Sequence, residues 1–281
     1  MSLVLEHVSY SYDEAKEKDA PTLSDVTLTL DACDFLGIAG PSGSGKSTLL
    51  QIMAGLISPR AGYVQYNQKN LSIRKEAAHV RGQIGLVFQY PEHQLFASSV
   101  RQDIAFGPKN LGLSSVEIEQ RVRYACDLME IPSAWLDKSP FELSGGQQRS
   151  VALAGVFAMK PRVLLLDEPC AGLDSAARAQ FFHALSQMQS EGTALCMASH
   201  NMDDMAAHCN RVLVLSAGQV KYLGKPSELF QHENWLTELG LDIPAGVKLV
   251  HALQLAGIAL PEKLYTAIDL AATLAELKQN K

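Results

Sequence analysis

Residues 3–10 and 26–30 alternate apolar and polar side chains, the period of strands with one buried face. The charged run DEAKEKDAP between them reads as a turn or loop. FLGIAG (35–40) is a short apolar run ending in glycine, a buried strand that feeds a loop. STLLQIMAGL (47–56) then places Leu49, Ile52, Met53 and Leu56 at helical spacing. GYVQYNQKNL (62–71) predicts a hairpin, and IGLVFQ (84–89) another buried strand.

From about Val100 to Leu143 the pattern turns helical. Val116, Val122 and Leu128 recur among charges there, and Ser114 and Glu117 have the spacing of a helix cap. RVLLLDEP returns to a buried strand. SAARAQFFHALSQMQSEG predicts an amphipathic helix closed by Gly192, and TALCMASH and RVLVLSAGQVKYLG are strands again. Alternating β and α elements imply an α/β domain with a mainly parallel sheet, into which a helical subdomain of about 90–160 is inserted. Beyond Gly224 the chain is helical with breaks at Pro244 and Pro261. A boundary near residue 232 divides a domain of 1–232 from a helical extension of 233–281, whose apolar face is expected from Leu249, Leu253, Leu255, Leu260 and Leu264.

Composition narrows the function classes. A net charge of -6 over 281 residues argues against non-specific nucleic-acid binding, and no nucleic-acid partner is expected. No run reaches the ~18 apolar residues of a membrane span, and the N-terminus has no signal-peptide pattern. Cys33, Cys126, Cys170, Cys196 and Cys209 lack CxxC spacing and read as reduced thiols.

GPSGSGKST comprises Gly40, Pro41, Ser42, Gly43, Ser44, Gly45, Lys46, Ser47 and Thr48, and fits G-x-x-x-x-G-K-[ST] between a strand and a helix. Glycines let the backbone wind until successive N–H groups face phosphate oxygens, and the helix N-terminus adds positive potential. Lys46 is expected on the β- and γ-phosphates of ATP, and the Ser47 hydroxyl on Mg²⁺. VLLLDEP delivers Asp167 and Glu168 to the end of a buried strand, beside that loop if the sheet is parallel. Asp167 would hold Mg²⁺ and Glu168 would orient or deprotonate water, since adjacent buried carboxylates are costly without a cation.

ELSGGQQRSVALAG (142–155) then decides a family resemblance. Its LSGGQ, about twenty residues before LLLDEP, resembles the signature of ATP-binding-cassette (ABC) ATPases. That resemblance implies a P-loop nucleotide-binding domain with a mainly parallel core, an antiparallel β subdomain and an inserted helical signature subdomain. It also implies a face-to-face pair in which Ser144, Gly145, Gly146 and Gln147 contact the ATP of a second ABC ATPase subunit. Gln89 matches the glutamine that senses Mg²⁺ and the membrane partner, and His200 the switch histidine on the γ-phosphate. Ala171 to Asp174 match the loop crossing the pair's interface; Tyr12, with Tyr10 as the alternative, resembles the aromatic that stacks on adenine. Ser150, Cys170 and Asn201 depart from the residues usual at their positions.

PEHQLFASSV, FGPKNLGL, SPFELSGGQ and AGVFAMKP further resemble the ATPases of energy-coupling-factor (ECF) importers of vitamins or transition-metal ions. The implied partners are a transmembrane coupling protein and a small membrane substrate-binding subunit, which would hold the chain at the cytoplasmic face of the cell membrane. The alternative is the ATPase of an importer with a soluble solute-binding protein. In FQYPEHQLF, Pro91 is expected to stop the strand, and Leu95 and Phe96 to point outward, rimmed by Glu92, His93 and Gln94, as a docking surface. The competing expectation packs Leu95 and Phe96 inward.

Overall fold

The computed structural model describes residues 2–12, 21–80, 82–258, 260 and 270–275. In chain order, β1 (Ser2–Tyr10) and β2 (Leu23–Asp31) precede β3 (Phe35–Ala39) and α1 (Lys46–Met53). Then come β4 (Ala61–Tyr66), β5 (Lys69–Asn70), α2 (Arg74–His79) and β6 (Ile84–Val87). The helical insertion holds α3 (Val100–Asn110), α4 (Ser115–Leu128) and α5 (Gly145–Phe157). The chain returns through β7 (Val163–Asp167), α6 (Ser175–Ser190), β8 (Ala194–Ala198), α7 (Met202–His208), β9 (Arg211–Ser216) and β10 (Gln219–Gly224). It continues into α8 (Pro226–Leu229), α9 (Glu233–Glu238) and α10 (Ala245–Leu255).

One sheet has the order β10-β9-β3-β8-β7-β6, and the other β2-β1-β4-β5. In the first, β6 to β9 run parallel to one another and to β3, and only the edge strand β10 is antiparallel. The apolar runs expected to be buried strands are buried on both faces. Leu164 and Leu166 of β7 join one core, while Val163 and Leu165 join the other. Residues alternate across a strand, so a sheet covered on both sides demands an unbroken apolar run. One core lies under the helical insertion, α6 and α7; the other lies under α1 and the antiparallel sheet.

β1 and β2 alternate as expected, with a shift. The register slips between Leu5 and Val8, where His7 takes φ 51°, so Val8 rather than His7 faces inward. Ser114 caps α4 through a reciprocal capping box with Glu117. β6 ends at Val87, short of the strand expected through Gln89, so Pro91 instead opens a turn of 3₁₀ helix over Pro91–Gln94.

Packing runs on past residue 232. Leu236, Leu241 and Val247 join the core beneath the helical insertion, whereas Val250, Leu260 and Leu270 form a small separate cluster with Leu253 and Leu274. The face expected for the extension is therefore corrected. Leu249 and Leu255 are exposed, the latter to 90%, because α10 turns Val247 and Val250 inward. Leu264, Pro261 and most of the charged run after Tyr12 lie outside the described residues.

Candidate active site

The parallel strands β3, β6, β7 and β8 release their C-terminal ends along one edge of the sheet. There the structure gathers the phosphate loop after β3, Gln89 beyond β6, Asp167 and Glu168 at the end of β7, and His200 beyond β8. An edge of this kind is where open α/β sheets bind ligands.

The phosphate loop is wedged into the fold. A Cβ added at Gly40 would stand 2.2 Å from the Leu215 carbonyl oxygen and 2.6 Å from Ser44 Oγ. Gly45, at φ 103°, leaves 2.7 Å between an added Cβ and the Thr22 carbonyl oxygen. Gly218 N–H donates to the Ser44 carbonyl at 3.2 Å, tying the loop to the β9–β10 turn. Ser44 Oγ is buried without a hydrogen-bond partner among the described residues. Pro41 is partly buried, while Ser42, Gly43 and Ser47 are open to solvent. Lys46 Nζ donates to the carbonyls of Gly40 at 2.7 Å and Pro41 at 3.1 Å. Burial lowers the Lys46 pKa, and the charges of Glu168 and then Asp167 push it back up, so all three groups share one field.

Glu168 is held in a strained pose. Its φ is 46°, left-handed for a residue with a Cβ, while its N–H donates to the Ala198 carbonyl at 2.9 Å. The carboxylate is mostly buried and lies 2.9 Å from Nδ1 of the exposed His200. Asn201 caps α7 by accepting from Asp204 N–H at 3.0 Å, and α7 is braced to α6 by Arg178 Nε donating to Asp204 at 2.9 Å. Tyr12 stands at the mouth of the loop, 59% exposed, with its hydroxyl 3.2 Å from Thr48 Oγ1 and its ring edge-on to Tyr10.

The signature residues present a different surface. Ser144 caps α5, with its Oγ accepting from Gln147 N–H at 3.5 Å and Gln147 Oε1 accepting from Ser144 N–H at 2.9 Å. The Gln147 side chain is thus spent on its own helix. Ser144, Gly145 and Gly146 are exposed, and a Cβ added at either glycine meets nothing within 4 Å. Ser150 Oγ donates back to the Gly146 carbonyl at 3.3 Å.

The family model described as ABC transporter matches residues 23–171. An energy-coupling factor transporter ATP-binding protein of Symbiobacterium thermophilum, EcfA2, is 45% identical over 98% of this chain and 96% of its own. The chain belongs to the ABC transporter family, among the energy-coupling factor ATP-binding proteins. A second EcfA2, of Clostridioides difficile, is 40% identical over 95% of this cassette and 94% of its own length. Among solved structures, cbiO1 of Clostridium perfringens, part of an ABC transporter complex, has a TM-score of 0.74 at 34% identity, covering 91% of this cassette and 98% of that chain. A dimeric ATP-binding cassette in a post-hydrolysis state with ADP and Pi has a TM-score of 0.71 at 27% identity, covering 80% and 98%.

Two expectations about the stretch after Gln89 are corrected. Leu95 is 8% exposed and belongs to the main core, while Phe96 is 60% exposed, so the two part company. The cause is Asp103: its buried carboxylate accepts from Phe96 N–H at 3.4 Å and Ala97 N–H at 3.0 Å, which turns the chain between them. Burial raises the Asp103 pKa, and those two backbone donors oppose the rise. Glu92 does not rim the surface but turns inward toward Arg149. Sequence reasoning passed over both Asp103 and Arg149. Arg149 carried one signal, a cation in the middle of a helix whose neighbours Val151 and Leu153 are core residues.

Proposed function

We propose that this cassette hydrolyses ATP at the sheet edge holding Lys46 and Glu168, and thereby drives an ECF-type importer of vitamins or transition-metal ions. The carrying observation is Glu168: a largely buried carboxylate in a strained pose, 2.9 Å from His200 and within the field of Lys46. A base so placed can take a proton from water attacking the γ-phosphate. Lys46 would exchange the Gly40 and Pro41 carbonyls for phosphate oxygens, and Tyr12 would offer its open ring to adenine. Exposed Ser47, partly buried Asp167 and exposed Gln89 fit Mg²⁺, which takes few protein ligands and completes its shell with phosphates and water. Bound there, Mg²⁺ would neutralise charge on the β- and γ-phosphates.

The open signature turn is read as half of a second site. Ser144 and the N–H groups at the start of α5 would meet ATP held by another cassette, giving a face-to-face pair. For the membrane side, Phe96 and Phe106 stack edge to face at 4.8 Å over a groove of about 710 Å³ lined by Leu86, Val151, Val156 and Met159. Both rings are exposed. An apolar groove of this kind suits an amphipathic helix of the transmembrane coupling protein. Among the described residues no helix is long and apolar enough to cross a membrane, so attachment to the cytoplasmic face would run through that groove.

The test is affinity capture from membranes followed by uptake in vesicles. An ECF assembly delivers a transmembrane coupling protein and a small membrane substrate-binding subunit together with ATP-dependent uptake. Recovery of a permease that needs a soluble solute-binding protein would favour the conventional importer instead.

A further inference from the structure

Arg149 lies in α5, beyond the signature, and is 4% exposed. Its guanidinium touches two segments that are distant in the chain. Nη1 donates to the Ala171 carbonyl, and a Cβ added to Gly172 would stand 3.9 Å from that nitrogen. Nε lies 3.9 Å from Oε2 of Glu92, in the turn that follows Gln89. Glu92 Oε2, Arg149 Nε and Arg149 Nη2 are all buried without a hydrogen-bond partner among the described residues. A gap of 3.9 Å is within ion-pair range but too long for a hydrogen bond. Buried charge left this loosely paired is costly, and its energy falls if the two groups move together.

We propose that Arg149 is a positioning residue that ties the membrane-facing turn at Glu92 to the loop after Glu168, so that docking and closure of the nucleotide site move together. The inference rests on the docking reading above. Chemistry favours arginine for the task. A guanidinium is a rigid planar fork whose donors face several directions at fixed angles, so pulling one edge turns the other. When the groove fills, Glu92 closes on Nε, and Nη1 carries the Ala171 carbonyl with it. Ala171 is already tied to the base, since its N–H donates to the Glu168 carbonyl at 3.2 Å. The signature turn is on the same helix as the fork, so all three nucleotide-facing segments share one pivot.

The experiment uses the full chain in its assembled transporter and compares Glu92→Gln, Arg149→Lys and the double variant. Uptake per ATP hydrolysed is measured beside the uncoupled hydrolysis of the ATPase chains without membrane partners. Glu92→Gln is expected to co-purify normally and to keep its uncoupled kcat, yet to lose at least about 5-fold in uptake per ATP. Arg149→Lys keeps the charge but loses the fork, and should lower the same ratio. The double variant should be no worse than Arg149→Lys alone, because both act through one contact. Unchanged uptake per ATP in Glu92→Gln, or losses that multiply in the double variant, would overturn the proposal. So would loss of co-purification in Glu92→Gln, which would make Glu92 part of the docking surface. If Arg149→Lys does not fold, Glu92→Asp replaces it: the charge stays but sits farther from Nε, and an intermediate loss is expected, no loss at all being contrary. Failure of the docking reading itself shows separately, as normal assembly and transport by Phe96→Asp.

Discussion

The phosphate loop and the signature turn are both glycine-rich, and both lead into a helix start. Gly43 of the phosphate loop is as open as the signature pair, but Gly40 and Gly45 are not. At Gly40 and Gly45 the space beside Cα is filled by carbonyls of the same chain, Leu215 and Thr22. At Gly145 and Gly146 there is nothing within 4 Å. The first pair of glycines exists because the fold has closed around it. The second pair keeps a surface bare, and bareness has value only if another surface arrives. One turn is enclosed by its own chain; the other is read as the surface that a second cassette would cover.

One added methyl group in each place should separate the two turns. Gly40→Ala drives a Cβ to 2.2 Å from a backbone oxygen that cannot move aside cheaply. A loss of more than about 4 kcal/mol is expected, seen as an unfolded or poorly expressed protein without nucleotide binding. Gly146→Ala should instead fold at least as well, with a gain of up to about 1 kcal/mol from replacing a helix glycine. It should nonetheless weaken ATP-dependent pairing by cross-linking. If Gly146→Ala pairs normally, the signature turn is not half of a shared site.

Chemistry separates the two regions next. Glu168→Gln preserves size and hydrogen bonding toward His200 but removes the basic charge. ATP should still bind and the pair should still close, while turnover in the purified complex falls about 10²-fold or more. Ser144→Arg should do the reverse, sparing nucleotide binding at Lys46 and blocking closure. Near-normal turnover in Glu168→Gln would remove Glu168 from the role of base.

Much of the sheet and the phosphate edge could be read from the sequence, for a physical reason. Val163 to Leu166 are buried on two faces, so all four must be apolar, and Asp167 and Glu168 stand out at the end of the run. The P-loop likewise follows from local chain geometry, strand then glycines then helix. The stretch after Gln89 was not legible in this way. It has neither a 3.6 nor a 2.0 period, so nothing local says which of two adjacent apolar residues turns in. That choice is made by Asp103, through two backbone hydrogen bonds, and Glu92 is drawn inward by Arg149 from a distant helix. Leu249 and Leu255 of the extension were misplaced for a related reason, since the inward face of α10 depends on what the core offers it.

Leu95 and Phe96 can therefore be tested singly rather than together. Leu95→Ala should cost about 2–3 kcal/mol, near the low end for a core leucine because it also lines the groove. Phe96→Ala should cost about 1 kcal/mol or less, chiefly its edge-to-face contact with Phe106. Co-purification should show the opposite ranking, with Phe96→Ala losing the membrane partner more readily than Leu95→Ala. Equal destabilisation by both changes in chemical denaturation would mean that Phe96 is structural.

The smallest effect concerns two helix caps. Asn201 caps α7 by accepting from Asp204 N–H, and Ser144 caps α5 by accepting from Gln147 N–H. Removing either cap by substitution to alanine should cost about 1 kcal/mol, a fall of roughly 2–4 °C in Tm. Beyond that shared cost the two should diverge. Asn201 spends its side-chain oxygen wholly inside its own chain, so Asn201→Ala should leave ATP-dependent pairing as it was. Ser144 has a hydroxyl facing open solvent beside two bare glycines, so Ser144→Ala should lose pairing as well as the cap. Asn201→Asp supplies a carboxylate while keeping a capping oxygen. The first turn of α7 already holds Asp203 and Asp204, so repulsion offsets the gain from the helix dipole, and Tm should barely move, with stability changing by about 0.5 kcal/mol at most. Should Asn201→Ala disrupt pairing as strongly as Ser144→Ala, the division between a turn closed by its own chain and a turn open to a partner would not hold at the level of individual caps.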